Sequence, residues 1–261
     1  MHGVGEVVAV AIVVAGLIVG SFLNVCIYRI PAEESLATPG SHCRACSGPI
    51  AWYDNIPILS FLVLRGHCRA CGERFSARYP LVELLTPLAW LLLYRCGFDP
   101  RVFVLYAALA AVLIVVTFID IDHKIIPDVI TWPTILISPA AAFVIGHITV
   151  TQSLIGIVVG GGLLWAIAEL YIIVRKQEGM GLGDVKMLAM IGGLLGWEAA
   201  IFSLIIGSVI GTVFGLGAML LRRGRLDMEI PFGPFLAAAC GLYMIGGPQL
   251  LSTYLGPPIF V

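Results

Sequence analysis

The chain has 261 residues, 59% of them hydrophobic and 12% charged, with a net charge of −1. Its mean hydropathy of +1.01 lies well above that of soluble globular domains and describes a polytopic membrane protein. The near-neutral balance gives no electrostatic basis for binding nucleic acid.

A bilayer is crossed by about 17 to 25 apolar residues. Runs of that kind predict helices over 4–27, 80–94, 102–119, 127–145, 153–174, 185–195, 199–221 and 231–245, the second and sixth being short. The expected fold is an all-α bundle of about eight transmembrane helices with a small cysteine-rich domain between helices one and two. The first run is preceded by His2 and Glu6 rather than Lys or Arg, and it exceeds a signal-peptide core, so it reads as a retained helix.

If the amino terminus faces outward, 13 of the 15 Lys and Arg residues fall in inward connections and only Arg95 and Arg101 in an outward one. The positive-inside rule then sets both termini outside and puts Asp120 and Asp184 at the cytoplasmic edge. The chain divides into a first transmembrane helix (1–28), a cytoplasmic zinc-binding domain (29–79) and a transmembrane bundle (80–261).

The pentapeptide His-Cys-Arg-Ala-Cys occurs twice, at 42–46 and 67–71. Each Cys-x-x-Cys grips one side of a tetrahedral ion, so Cys43, Cys46, Cys68 and Cys71 form a four-sulfur zinc site, with Gly48 and Gly72 allowing the turn behind each pair. Two disulfides are the alternative, which a reducing cytoplasm disfavours. A site closed by four sulfurs has no open position, so its metal is structural. His42 and His67 read as solvent-facing knuckle residues, and Cys26, Cys96 and Cys240 as packing residues. The apolar stretch from Trp52 to Leu62 is too short to span; it lies either along the membrane surface or in the core of the small domain.

Asp120 closes one apolar run, and Asp184 follows Gly179-Met180-Gly181-Leu182-Gly183. An ionisable group at membrane depth costs roughly 2.5 to 3.5 kcal/mol on insertion scales and marks a functional site. Asp120 and Asp122 point about 200° apart on a helix, so only one of them faces a given site. Asp122 reads as a loop acid, and Asp128 as an acid in the first turn of a helix begun at Pro127. Two carboxylates sharing a proton on one membrane face suit acid–base hydrolysis: one takes a proton from water while the other polarises a carbonyl. Gly181, Gly183 and Pro231 shape that site by position, and Lys186 either holds an acid or snorkels.

In order along the chain, Gly20-Ser21-Phe22-Leu23-Asn24-Val25 with Arg29 and Pro31, the paired cysteine motifs, Arg78-Tyr79-Pro80-Leu81-Val82-Glu83, the segment from Asp120 to Asp128, Gly179 to Lys186, and Pro231-Phe232-Gly233-Pro234 resemble the motifs of the type IV prepilin peptidases. These are bifunctional leader peptidase/N-methyltransferases, aspartyl proteases with a Gly-x-Gly-Asp motif. The resemblance covers about residues 16 to 238. It implies an inner-membrane enzyme that cleaves the leader of prepilins or pseudopilins after a glycine on the cytoplasmic side. It also implies methylation of the new amino terminus with S-adenosylmethionine, in a type IV pilus or type II secretion setting. Asp120 and Asp184 match the catalytic pair; the methyl transfer goes with the cysteine-bearing connection and Glu83, which either acts in it or positions the domain. No glycine-rich methyl-donor turn is visible in the sequence.

A transporter would keep its acids at mid-depth, a presenilin-type protease would lack the cysteine module, and a zinc-bearing scaffold would tolerate Asp→Asn changes. Glu169 is expected to bond a neighbouring helix, Gly160-Gly161-Gly162 and Gly192-Gly193 to allow close helix packing, and Arg222-Arg223-Gly224-Arg225 to anchor at anionic lipid.

Overall fold

The computed structural model describes residues 2–176, 181–221 and 230–255. The described residues are helical with no strand: α1 (His2–Arg29), a short α2 (Leu59–Val63) preceded by a 3-10 turn (Trp52–Asn55), α3 (Arg78–Arg95), α4 (Pro100–His123), α5 (Asp128–Ile145), α6 (Val150–Arg175), α7 (Leu182–Leu195), α8 (Trp197–Leu221) and α9 (Gly233–Leu255). By length and composition, α1, α4, α5, α6 and α8 are suited to cross a membrane, with a shorter apolar stretch over Gly233–Gly247 in α9. The chain forms two compact units, Met1–Val115 and Val116–Val261, with the boundary inside α4.

In the first unit, α1 packs along α3. Small residues permit the approach: a Cβ on Gly16 would lie 2.6 Å from Cα of Pro87, and one on Gly20 2.9 Å from Cα of Glu83. Asn24 donates its amide to the Tyr79 carbonyl at 3.1 Å, fixing the start of α3 against the end of α1. Buried Arg29, the last residue of α1, holds the following loop by donating to the carbonyls of Ser35 (2.8 Å) and Pro39 (2.6 Å).

In the second unit, α7 is the central helix, surrounded by α5, α6 and α8. Every residue from Met187 to Leu195 is buried, which is why this helix is apolar all round rather than amphipathic. The surrounding helices invert the pattern of a soluble protein. They expose large side chains such as Leu136, Phe143, Val158 and Ile173, and turn Ser138, Ser153, Gly156, Gly160, Ser203 and Gly207 inward. Without a hydrophobic drive in lipid, helix association relies on such small and hydroxyl-bearing residues. Ser153 donates its hydroxyl to the Gly193 carbonyl at 2.6 Å.

Of the glycines expected to pack, Gly160, Gly192 and Gly193 do. A Cβ on Gly160 would overlap the Leu188 carbonyl, and one on Gly192 the Gly156 carbonyl, whereas Gly162 faces open space. Glu169 differs from expectation: it is exposed on α6 instead of bonding a neighbouring helix. The buried stripe of α6 runs Ser153, Gly156, Gly160, Leu164, Ala168, and the next residue is turned about 100° away from it. Arg222, Arg223 and Arg225 lie outside the described residues.

Gly156→Leu should lower the thermal midpoint of the purified protein, by a destabilisation of about 1 to 3 kcal/mol or more from overpacking. Gly162→Ala, at a position with space for a methyl group, should leave the midpoint unchanged.

Candidate active site and metal centre

The carboxyl end of α4 and the amino ends of α7 and α9 bring three segments together in the second unit. Asp120, three residues before the end of α4, is buried at 5% exposure. Asp122 is exposed, as the helical twist between them requires. The amide of Gly233 donates to Oδ2 of Asp120 at 2.9 Å. Gly233 opens α9, so its N–H has no intrahelical acceptor, and the carboxylate supplies one where the helix dipole favours negative charge. Pro234 follows in the first turn, where its missing N–H costs nothing.

Gly233 must be glycine for steric reasons, since a Cβ there would lie 2.7 Å from Oδ2 of Asp120. Buried Ile126 bridges the other two segments. It meets the Cβ position of Gly233 through Cδ1 at 3.4 Å and that of Gly183 through its own Cβ at 3.0 Å. This wedge seats the first turn of α7, where Asp184 is found, close enough to Asp120 for the Asp120 charge to act on it. Lys186, on the same turn, forms an ion pair with Asp128 of α5. That pairing gives Lys186 a protein acid as its partner. Gly181 precedes α7 as its cap residue in extended conformation, while Gly179 and Met180 lie outside the described residues. Two carboxylates, one buried and both in reach of helix amino termini, form an arrangement able to exchange a proton with a water and polarise a carbonyl.

Sequence spacing alone does not reveal the Gly233 amide, 113 positions from Asp120, or the Ile126 wedge. The Pro-x-Gly-Pro stretch signals a turn, but not what that turn touches.

In the first unit, the sulfurs of Cys43, Cys46, Cys68 and Cys71 all lie within 4.8 Å of one another. Sγ of Cys43 and Sγ of Cys71 are 3.8 Å apart. A disulfide needs about 2.05 Å, whereas four thiolates about 2.3 Å from a central ion stand about 3.8 Å from each other. The four-sulfur set therefore fits a tetrahedral metal and can hold one.

The two sequence repeats fold alike. The amide of Cys43 donates to the Gly48 carbonyl at 2.9 Å and that of Cys68 to the Glu73 carbonyl at 2.8 Å; the amides of Ser47 and Gly72 return to Cys43 and Cys68. The left-handed turn falls on Ser47 (φ 57°) and Gly72 (φ 73°). Gly72 thus serves as expected, but Gly48 lies one residue past the turn, beside Sγ of Cys46. The amides of Cys46 and Ala45 point at the Cys43 sulfur and pull its pKa down to about 7, favouring the thiolate that binds metal.

The repeated arginines dock differently. Arg69 makes a two-pronged pair with Asp54 at 2.7 and 2.6 Å, which holds the Asp54 carboxyl below its usual range, while the Arg44 guanidinium lies 3.4 Å from the centre of the Tyr28 ring. The stretch between the knuckles keeps its apolar side chains outward, with Trp52 80% and Leu62 66% exposed, so it is no buried core of the small domain. Glu83, on the first turns of α3, is buried and accepts the Ile58 amide at 2.7 Å.

Comparison with known proteins matches residues 14–96 to the bacterial peptidase A24 N-terminal domain and residues 107–216 to the type IV leader peptidase family. The chain is 35% identical to a prepilin leader peptidase/N-methyltransferase of Aeromonas salmonicida, over 97% of this chain and 96% of that protein. It is 33% identical to a protein of the same name from Pseudomonas aeruginosa, over 93% of this chain and 92% of that one. A third, from Myxococcus xanthus, is 41% identical over 85% of this chain and 66% of its own length. No solved structure matches. With both family regions matched in order and relatives aligned almost end to end, the chain belongs to the type IV leader peptidase family.

Proposed function

We propose that the chain is an inner-membrane aspartyl endopeptidase that removes the leader of type IV prepilins or pseudopilins after a glycine and then methylates the exposed amino terminus. The observation that carries the reading is the seating of Asp120 by the Gly233 amide, beside the helix turn that carries Asp184. Relatives named as prepilin leader peptidase/N-methyltransferases support both activities.

In this mechanism, Asp120 and Asp184 share one proton because like charges in proximity do not both ionise. The ionised member takes a proton from the attacking water while the protonated member hydrogen-bonds the scissile carbonyl. As the tetrahedral intermediate collapses, the carboxyl that received the proton returns it to the leaving nitrogen. Gly181 and Gly183 let the substrate backbone approach, and the Gly233 amide holds the Asp120 oxygen that does not face substrate. Lys186, through Asp128, fixes the turn that presents Asp184.

The positive-inside distribution supports an orientation with both termini outside and this site at the cytoplasmic face. A prepilin carries its own apolar helix just after the leader, so its cut site meets the dyad at headgroup level while lipid surrounds both. The four cysteines hold a structural zinc that staples residues 29–79, a segment too small for a core of its own, and S-adenosylmethionine supplies the methyl group.

With a synthetic prepilin and purified full-length protein, Asp120→Asn and Asp184→Asn should each cut cleavage by about 10²- to 10⁴-fold while methylation of a pre-cleaved peptide persists; normal cleavage in either variant overturns the reading. Gly233→Val should cost cleavage about 10²-fold, the scale of a 1 Å misplacement of a catalytic group. Metal analysis should find one zinc per chain in the wild type and almost none after joint Cys43→Ser and Cys71→Ser substitution.

A further inference from the structure

The first unit holds a cavity of about 480 Å³, within the size range of small-molecule sites. Its walls come from α1, the start of α3 and both cysteine knuckles, so the knuckles form one side of it and the helices another. Three features distinguish it from a packing gap.

Glu83 lines it and is the buried acid of this unit among the described residues. The donor bonded to its carboxyl, the Ile58 amide at 2.7 Å, is neutral. A neutral donor orients a carboxylate but leaves its charge for a ligand to answer. Ile58 donates from φ 62° and ψ −49°, a region in which a β-branched residue is a genuine outlier. Backbone held in such a conformation collects at ligand clamps and active sites.

On another wall the Arg44 guanidinium covers the Tyr28 ring at 3.4 Å and approaches the Tyr79 ring at 5.9 Å. The cavity thus presents a carboxylate, a cation and two aromatic rings. A ligand that suits it carries a positive centre, a carboxylate, hydroxyls and a flat ring.

Resting on the reading above that S-adenosylmethionine is the methyl donor, we propose that this cavity is the donor site. Glu83 faces the cationic, hydroxyl-bearing part of the molecule, Arg44, stacked on Tyr28, pairs with its α-carboxylate, and the Tyr79 ring lies against the adenine. Glu83 is then a binding residue, and the knuckles act by closing a wall of the pocket. Methyl transfer forms the bond from the amine nitrogen to the methyl carbon as the bond from that carbon to sulfur breaks. The electron pair stays on sulfur, leaving a neutral thioether, and the proton lost from the amine passes to solvent.

The test is equilibrium dialysis of methyl-tritiated S-adenosylmethionine against the full-length, zinc-loaded protein in detergent, followed by ultraviolet cross-linking and peptide mapping. Glu83→Gln keeps an oxygen to accept the Ile58 amide and removes the charge; Arg44→Leu changes an exposed side chain. Each should weaken binding at least tenfold, with zinc content and thermal midpoint at wild-type values, and the cross-link should fall on the peptide containing Tyr79. A tie that only positions the domain would instead alter the midpoint or zinc content and spare affinity. Wild-type binding with the label mapping elsewhere, or both variants binding like the wild type, overturns the donor site and leaves the donor reading intact. No binding by the wild type overturns both.

Discussion

A carboxylate inside an apolar helical bundle persists only where fixed dipoles replace the water it has lost, and that constraint organises the second unit. Asp120 meets it with the amide that opens α9, and the same bond satisfies a helix-end donor that has no partner within its own helix. The start of α9 is thereby tied to the end of α4. Ile126, pressed between Gly233 and Gly183, carries the tie on to the first turn of α7. Asp184 thus takes its place from a chain of contacts that begins at Asp120.

Glycine is what lets those contacts close. At Gly233 a side chain would strike the Asp120 oxygen, and along α6 and α7 the pairing of Gly156 with Gly192 brings two backbones together. A central helix buried on all sides demands such approaches from its neighbours, and hydroxyls such as that of Ser153 add bonds that lipid cannot supply. The proposed active site therefore stands on a rigid base: α7 carries Asp184 at one end and is clamped along the rest of its length.

Much of this was legible in the sequence because its signals are local. Long apolar runs mark α1, α4, α5, α6 and α8, and two Cys-x-x-Cys pairs mark a cluster whose sulfurs do converge. The contacts that seat the acids were not legible, since the Gly233 amide and Ile126 act through backbone direction and shape rather than residue type. The left-handed turn at Ser47 was hidden for the same reason: Gly48 is the residue that composition favours, yet the hydrogen-bond frame of the knuckle puts the turn one residue earlier. Glu169 misled because a lone acid in an apolar run signals burial, while its position beside Ala168 on the α6 stripe turns it outward. The cavity around Glu83 needs α1, α3 and both knuckles at once, so no single stretch of sequence announces it.

The claim on which the account rests is that the carboxyls of residues 120 and 184 meet at one site. The most direct measurement replaces both, as Asp120→Cys with Asp184→Cys, in the full-length protein in membranes. A short bifunctional thiol reagent is then applied, and mass spectrometry identifies the linked peptides. A cross-link joining positions 120 and 184 in high yield is the predicted result. Accessible thiols at both positions with no link between them would contradict the account.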